Sequence, residues 1–453
     1  MKGGDPTEAE AFLAGHPEIR QFEAFLTDPS GVQRGKILRR EELVAAYRHG
    51  RPLPCSILSL DITGADVEET GLVWDQGDSD RDCRPVPGTL TMAPWLDTPS
   101  AQFVLTSFEK DGTPTAADPR HAVARVDAAL RAAGYFPVVA IELEFYLIDR
   151  EAMLAGRPRP PAGKSGFRQS QLQAYLVQDL EDFSPFLDEV YRGAEAMGLP
   201  ARTLIAEYAP GQFEIVLGHR TDALRAADDA ILFKRLVKGV AERRGYIATF
   251  MAKPYATWSG SGMHVHASLA DSAGNNLFAG EGEANALLKF AIGGLLATMG
   301  ESMAMFAPNA NSYRRFRRNS YAPVGPAWAI DNRSAPVRVT AGPPASRHLE
   351  QRVAGADANP YVALATVLAA MLEGIEKSID PGAPIVGNGY EQIAPSLPSS
   401  WPDALAAARA SDFLPRRLGE RFTEIYLAIK QAECERFFAE IPDLDYALYL
   451  RLA

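Results

Sequence analysis

Cysteine is scarce in this 453-residue chain, which has only Cys55, Cys83 and Cys434. The three are far apart and odd in number, so they form no CxxC pair and no disulfide framework. A reducing compartment, the cytoplasm, is expected. Long apolar runs are also missing. The longest, around residues 361–372, is too short to span a bilayer and reads as a buried helix. The opening residues, MKGGDPTEAE, are polar and do not read as a signal peptide. Positive charge is in deficit, with 46 Lys+Arg against 57 Asp+Glu and a net charge of −11. That argues against nucleic acid or an anionic membrane as the main partner. There is no internal repeat and no low-complexity segment. With 47% hydrophobic and 23% charged residues, the composition excludes a disordered or fibrous chain. The length exceeds the ~250–300 residues at which a single core usually splits, so more than one domain is expected.

Familiar nucleotide and nucleophile signatures are absent as well. Gly163-Lys164-Ser165 looks like the end of a P-loop, but the earlier glycine that motif requires is Pro158. Gly-Ser-Gly at 260–262 is no dinucleotide fingerprint, and no G-x-S-x-G elbow occurs. Cys55 and Cys83 have no histidine near them in sequence and read as structural.

Up to about residue 108 the chain holds short β-rich runs, at 22–26, 57–60 and 89–92, with a Pro- and Asp-rich surface loop at 75–88. Asp118-Pro119 then opens a helix that keeps Val123, Val126 and Leu130 in register and ends at Gly134. The boundary is placed within residues 110–117, giving an N-terminal domain of 1–112 and a larger one of 113–453. Beyond it a long strand is expected at 135–149, a Pro/Gly-rich loop at 153–167, and helices at 222–243, 285–299 and 360–377. A further loop covers 381–402, and the last fifty residues read as helical.

One pattern recurs in the strands, whose side chains alternate between faces. Ile141, Leu143, Phe145 and Leu147 oppose Glu142 and Glu144. Phe213, Ile215 and Leu217 oppose Gln212 and Glu214. Met263, Val265 and Leu269 oppose His264, His266 and Ser268. Val337 and Val339 oppose Arg338, and Leu349 and Val353 oppose Glu350 and Arg352. A half-solvated antiparallel sheet is the plain reading of any one strand. All five polar faces, however, lack lysine and carry Glu, His and Arg, an inventory suited to hard divalent cations in a concave site. Glu207 lies seven residues before Glu214, a spacing that puts the two on opposite faces of one regular strand; Pro210-Gly211 permits a bend that lets both reach one metal. Eight arginines crowd residues 314–352, with only Asp331 and Glu350 to oppose them. In an acidic protein such a cluster suits a polyanion, since arginine pairs with phosphate and carboxylate in bidentate fashion. Carboxylates for metal beside arginines for phosphate suggest phosphoryl transfer from a nucleotide.

Together these residues resemble the glutamine synthetase family over nearly the whole chain. Glu142-Leu-Glu144-Phe145 is similar to its E-x-E-F strand, and Glu207-Tyr-Ala-Pro-Gly-Gln-Phe-Glu214 to its E-x(6)-E motif. Gly260-Ser-Gly-Met-His264-Val-His266-Ala-Ser268 matches G-S-G-M-H-x-H-x-S. Asn311-Ser-Tyr-Arg-Arg315, Asn332-Arg333-Ser334 with Arg338, and Glu350-Gln-Arg352 followed by Ala358-Asn359-Pro360-Tyr361 complete the set. The resemblance implies an α+β chain: a small N-terminal β-grasp domain and a larger catalytic domain with a curved antiparallel sheet lined by Glu, His and Arg. It implies a dodecamer of two hexameric rings with active sites between subunits, ATP as co-substrate, and two or three Mg²⁺ or Mn²⁺ ions per site. Glu144, Glu207 and Glu214 would hold one ion, and Glu142, His264 and Glu350 the other. His266, Arg338 and Arg352 would meet nucleotide phosphates and the moving phosphoryl group, with Ser268 and Glu207 also at the nucleotide. Arg333 would stabilise the acyl-phosphate step, and Arg315 and the Gly260 backbone would hold L-glutamate.

Two departures from the family pattern bear on the second substrate. The family glutamate six residues after the N-S-Y-K-R arginine is Tyr321, and the asparagine before G-S-G-M-H is Ser259, after an unusual Trp258. The family's D-G-S-S motif, which a neighbouring copy contributes to the ammonium site, is also missing; Asp61 stands roughly in its place. A lost carboxylate weakens a site for NH₄⁺, and an aromatic offers apolar area and a π face to a larger amine. The pattern resembles the γ-glutamyl–amine ligases of the family, with putrescine, ethanolamine, an alkylamine or aniline as the amine. The alternative is a glutamine synthetase that uses ammonium. Tyr390 stands near where some bacterial relatives carry an adenylylated tyrosine, and is expected to be an unmodified loop residue.

Overall fold

A computed structural model of the chain describes residues 4–75, 77–280, 282 and 284–453. The first six strands are β1 (Gln21–Thr27), β2 (Gln33–Arg39), β3 (Arg51–Pro54), β4 (Asp80–Pro85), β5 (Thr91–Met92) and β6 (Ser100–Phe108). They form one sheet in the order β2-β1-β6-β4-β3, with β5 on β6. Asp28 and Gly31 build the β1–β2 turn. The Asp28 carboxylate accepts from Val32 N at 2.9 Å, and Gly31 takes φ +83°, where a side chain would be strained.

The second sheet contains β7 (Phe136–Asp149), β8 (Ala201–Ala206), β9 (Gln212–Leu217), β10 (Tyr246–Thr249), β11 (Met263–Ala270), β12 (Trp328–Ile330), β13 (Val337–Val339) and β14 (Leu349–Gln351). Their order is β12-β13-β14-β11-β7-β9-β8, with β10 on β7. The pairing is antiparallel except at one edge, where β12 and β13 run parallel, a departure from the wholly antiparallel sheet expected.

Helices cover the apolar face of this sheet. The expected helix at 119 runs Pro119–Ala132, with the Asp118 carboxylate accepting from Arg120 N at 2.9 Å. The expected helices at 222, 285 and 360 run Ala223–Arg243, Ala286–Ala297 and Pro360–Glu376. The last two touch backbone to backbone at Gly294 and Gly374. A Cβ on Gly294 would lie 1.9 Å from Ala370 O, and one on Gly374 2.0 Å from Phe290 O. Alanine at either position would push the pair apart. The N-terminal sheet keeps a separate core around Phe22, Leu53, Phe103 and Leu105, into which the late helix Glu420–Ala439 inserts Ile425 and Ile429.

Three local expectations differ from the structure. Residues 57–60 are not a strand; Cys55–Leu58 is a 3₁₀ turn. The 75–88 loop contains β4, whose Arg81 and Cys83 point inward while Asp82 and Arg84 pair with each other. Turn-forming residues around that segment hid its alternation, and only pairing with β3 and β6 brings it out. The helices Thr7–Gly15 and Ser184–Ala196 were not foreseen. The three cysteines are all free and buried; burial pushes the Cys55 thiol up to about 11 and the Cys83 thiol up to about 12. None of the described helices is long and apolar enough to cross a membrane.

The end of helix Pro360–Glu376 is pinned by charge. Glu373, 3% exposed, accepts from Arg416 at 2.8 and 2.9 Å and pairs with Arg417 and Lys377 at 2.5 Å each. The Arg416 hydrogen bonds, with Lys377 and Arg417, outweigh burial and hold this carboxyl well below its usual range. A carboxyl lowered on folding contributes stability above its unfolded pKa of ~4.3, and that contribution fades as pH falls towards the folded value. Glu373→Gln is therefore expected to cost about 1–3 kcal/mol at pH 7. Urea titrations should show the difference from wild type shrinking below about pH 4.

Candidate active site

The polar face of the second sheet is set by register. The alternation buries Ile141, Leu143, Phe145 and Leu147 of β7 in the core and leaves Glu142 and Glu144 on the other side. Glu142 lies opposite His264 of β11, and Glu144 opposite Glu214 of β9. One strand further, His266 faces Glu350 of β14, which faces Arg338 of β13. Residues directly opposite in an antiparallel pair share a face, so four carboxylates, two imidazoles and a guanidinium stand on one wall.

The distances are short. His264 Nδ1 is 3.1 Å from Glu142 and 3.4 Å from Glu350, and its Nε2 is 3.7 Å from Glu144. His266 Nε2 is 2.9 Å from Glu142, and Arg338 Nε 2.5 Å from Glu350. Arg352 also pairs with Glu350. The two ends of the wall differ electrically. Burial disfavours the charge on Glu142 and Glu350, but the neighbouring imidazoles and guanidiniums outweigh it. His266 and His264 hold Glu142 well below the usual carboxylate range, and Arg352 with the histidines and Arg338 brings Glu350 down to about 2. At the other end burial and like charge act together. Glu144, beside Glu207, is pushed up to about 8, and Glu214, beside Glu142, Glu144 and Glu207, up to about 10. A divalent cation bound at that end would offset this burial and like charge.

Glu207 joins this group through the expected bend at Pro210-Gly211, which is the turn of a hairpin. β8 and β9 are an antiparallel hairpin, Ile205 lies opposite Glu214, and Glu207 N bonds to Gln212 O in the turn. Two residues across a hairpin share a face at an odd separation, so the seven-residue spacing is what places Glu207 and Glu214 together.

The other residues expected at the site are placed as follows. Arg315 is buried beneath Gly260, where a Cβ would meet its Cγ at 2.7 Å. Its terminal nitrogens donate to Val353 O at 2.7 Å and Arg352 O at 3.0 Å, so much of its donor capacity supports the 352–353 main chain. Ser259 O accepts from Tyr146 at 2.7 Å. Ser268 is buried on β11, and Arg333 is exposed in the turn after β12, close enough for its charge to oppose in part the burial that raises Glu207. Asp61 lies in the N-terminal unit, apart from the wall within one chain. Its Oδ1 accepts from Thr63 N at 2.8 Å and Ala65 N at 2.9 Å, and its Oδ2 pairs with Arg436 at 3.1 Å. The false P-loop is occupied by a carboxylate, since Ser165 N donates to Asp182 at 2.8 Å.

Five residues at the site had no role assigned from sequence. Gln212, which the alternation places on the polar face with Glu214, donates to Glu144 at 3.3 Å and to Gly260 O at 2.9 Å. His348 shares the alternation of Glu350, and its Nε2 is 2.9 Å from His266 Nδ1, while its Nδ1 meets Ser346 O at 2.7 Å. A carbonyl only accepts, so His348 Nδ1 carries a proton. With a neutral His348, His266 Nδ1 is then the donor and His266 Nε2 faces the carboxylates. His219 packs edge-on against both rings. Tyr175 and Tyr208 line up with Tyr321, with ring centroids 6.4 Å apart for Tyr175–Tyr208 and 5.8 Å for Tyr208–Tyr321. Tyr175 and Tyr321 both take left-handed backbone, φ +60° and +56°, uncommon for aromatic residues and held only where the surroundings enforce it. Nothing in the sequence announced these tyrosines as a group.

The donor set fits divalent cations. Ligand atoms of Glu142, His266 and Glu350, and of Glu142, Glu214 and His264, converge within 4.8 Å. His266 Nε2 is buried and makes no aligned hydrogen bond. Carboxylate oxygens with imidazole nitrogen suit Mg²⁺ or Mn²⁺.

Comparison with known proteins agrees with this geometry. The family model "Glutamine synthetase, catalytic domain" matches residues 116–449. γ-Glutamylputrescine synthetase PuuA of Escherichia coli (strain K12) is 39% identical over 98% of this chain and 95% of its own. Glutamate–isopropylamine ligase of a Pseudomonas species is 33% identical over 93% of each chain. The solved structure of apo GmaS without ligand superposes with a TM-score of 0.84 at 28% identity, covering 97% of this chain and 99% of that one. From the charged wall to the full-length relatives, the observations agree that this chain belongs to the glutamine synthetase family.

Proposed function

We propose that the enzyme is a C–N ligase that joins the γ-carboxylate of L-glutamate to a primary organic amine, using ATP and giving a γ-glutamylamide, ADP and phosphate. The relatives named as ligases of putrescine and isopropylamine support this reading. The observation that carries it is the row of Tyr175, Tyr208 and Tyr321 beside Glu207. Such a row offers π faces and apolar area to an alkyl amine and no carboxylate of its own to ammonium.

In the proposed reaction a γ-carboxylate oxygen attacks the γ-phosphorus of ATP, and the bond to ADP breaks. The amine nitrogen then attacks the acyl carbon, phosphate leaves, and the nitrogen gives up a proton. We assign Glu144, Glu207 and Glu214 to one cation and Glu142, His264 and Glu350 to the other; bound divalent ions supply charge neutralisation at the phosphoryl oxygens. His266, Arg338 and Arg352 are assigned to the phosphates, Ser268 and Glu207 to the nucleotide, and Arg333 to the acyl-phosphate step. Gly260 and Arg315 shape the glutamate pocket. Asp61 is assigned a role from a neighbouring copy.

The assembly proposed is the dodecamer of two rings, in the cytoplasm. It is supported by an exposed apolar C-terminal segment that includes Phe438, Ile441, Leu444, Leu450 and Leu452, of a kind that marks association surfaces. A division at about residue 112 is supported by the two cores, although Phe25, Val86 and Val104 pack into the larger one and Ile425 and Ile429 into the smaller.

Three outcomes are expected. In a panel of ammonium, putrescine, ethanolamine, isopropylamine and aniline, some organic amine should show higher kcat/KM than ammonium, each counted as free base. Burying two or three CH₂ groups is worth ~1.6–2.4 kcal/mol, about 15- to 60-fold. Tyr321→Glu should move the ratio towards ammonium, and ammonium outrunning every amine in wild type would sink the ligase reading. Glu142→Ala and His264→Ala should each leave less than a tenth of the activity at saturating Mg²⁺ and weaken Mn²⁺ binding read by electron paramagnetic resonance. Native mass should be twelve times the 49.1 kDa chain.

A further inference from the structure

Tyr390 belongs to none of the assigned roles, yet its side chain is only 7% exposed. It sits on the short helix Gly389–Gln392, where the Asn388 carboxamide accepts from its N–H at 3.0 Å. Its hydroxyl donates to Ala322 O at 2.9 Å, the carbonyl of the residue that follows Tyr321. Ser320, on the other side of Tyr321, also lies at the phenol oxygen. Arg318, at the start of the same loop, donates to Tyr390 O at 2.9 Å. A phenol so engaged is not presented for modification.

The segment around Tyr390 is bound to two loops of the site. Ser396 N donates to Val324 O at 3.2 Å, and a Cβ on Gly325 would lie 2.5 Å from Ala394 O. On the other flank Gly389 N donates to Ser334 Oγ at 2.9 Å, and Asn332 Nδ2 to Gly387 O at 2.7 Å, around Arg333. Three non-glycine residues of these loops hold left-handed backbone: Asn319 at φ +59°, Tyr321 at +56° and Asp331 at +45°. Such conformations persist only where their surroundings over-determine them.

We propose that Tyr390 is a positioning residue, which latches the Tyr321 loop over the acyl phosphate and so keeps ATP consumption coupled to amide formation. This rests on the ligase reading. The acyl phosphate has two fates. Attack by amine forms the C–N bond, expels phosphate and yields amide. Attack by water forms a C–O bond, expels the same phosphate and returns glutamate, so that ATP is consumed with no amide made. A loop that opens more often admits more water. Removing one buried hydrogen bond is worth roughly a two- to tenfold rise in the open fraction.

The test is Tyr390→Phe in the intact enzyme, with ADP and γ-glutamylamide measured in the same reaction at saturating amine. Wild type should give a ratio near one. The variant should give at least two, with faster amine-free ATP hydrolysis, a raised KM for amine, and unchanged KM for ATP and Tm. A second readout does not depend on catalysis: trypsin should cut after the exposed Arg317 or Arg318 two- to tenfold faster in the variant. An unchanged ratio overturns the proposal, whether or not cleavage quickens. A wild type that makes no amide from any amine overturns the ligase reading instead, and an unchanged cleavage rate would then overturn the latch as well.

Discussion

The site depends on the pairing of β7 with β11 on one side and β9 on the other. That register puts Glu142 against His264 and Glu144 against Glu214. A slip of one residue would send both carboxylates into the layer now filled by Leu143 and Phe145. The cost of burying charge in that layer is what locks the register, and the fully buried aliphatic and aromatic residues of β7 supply the complementary drive. Core packing and the arrangement of the charged wall are therefore one constraint seen from two sides of a sheet.

Along the wall, charge is balanced unevenly. Glu350 is satisfied by Arg338, Arg352 and His264. Glu144, Glu207 and Glu214 face one another with little to offset them. A divalent cation bound there would offset the burial and the like-charge repulsion that together raise these carboxyls. His348 and Ser346 orient His266, much as metal and phosphate ligands are oriented elsewhere by their outer partners. Gly260 and Gly262 matter for a different reason: a Cβ on Gly260 would meet Arg315 Cγ at 2.7 Å, and one on Gly262 would meet His264 Nε2 at 2.7 Å.

In the proposed reaction, specificity for the amine falls to other parts of the chain. The wall consists of strand residues held by ladder hydrogen bonds. Tyr175, Tyr208 and Tyr321 come from three connecting segments. The 387–397 segment ties two of the site's loops, those of Tyr321 and Arg333, to each other. A strand scaffold keeps the phosphoryl chemistry constant while loops are free to vary the amine. Strained backbone at Tyr321 is the local sign of that division.

Much of this was legible in the chain before folding. Alternation of period two exposed Glu142, Glu144, Glu214, His264, His266, Arg338 and Glu350 as one chemical face, because the side-chain period of a strand is a local property. The helix cap at Asp118 was equally local, and the same chemistry caps the later helices at Asp222, Asn285 and Asn359. Pairing was not. Glu207 meets Glu214 through a hairpin, β4 becomes a strand only between β3 and β6, and Cys55–Leu58 winds into a 3₁₀ turn that leaves only Leu60 bridged to Asp66. The three tyrosines, the His219–His266–His348 cluster and the Tyr390 contact join segments tens to hundreds of residues apart. No spacing rule links such segments, because closing long loops is governed by the packing of the whole core rather than by any short stretch of sequence.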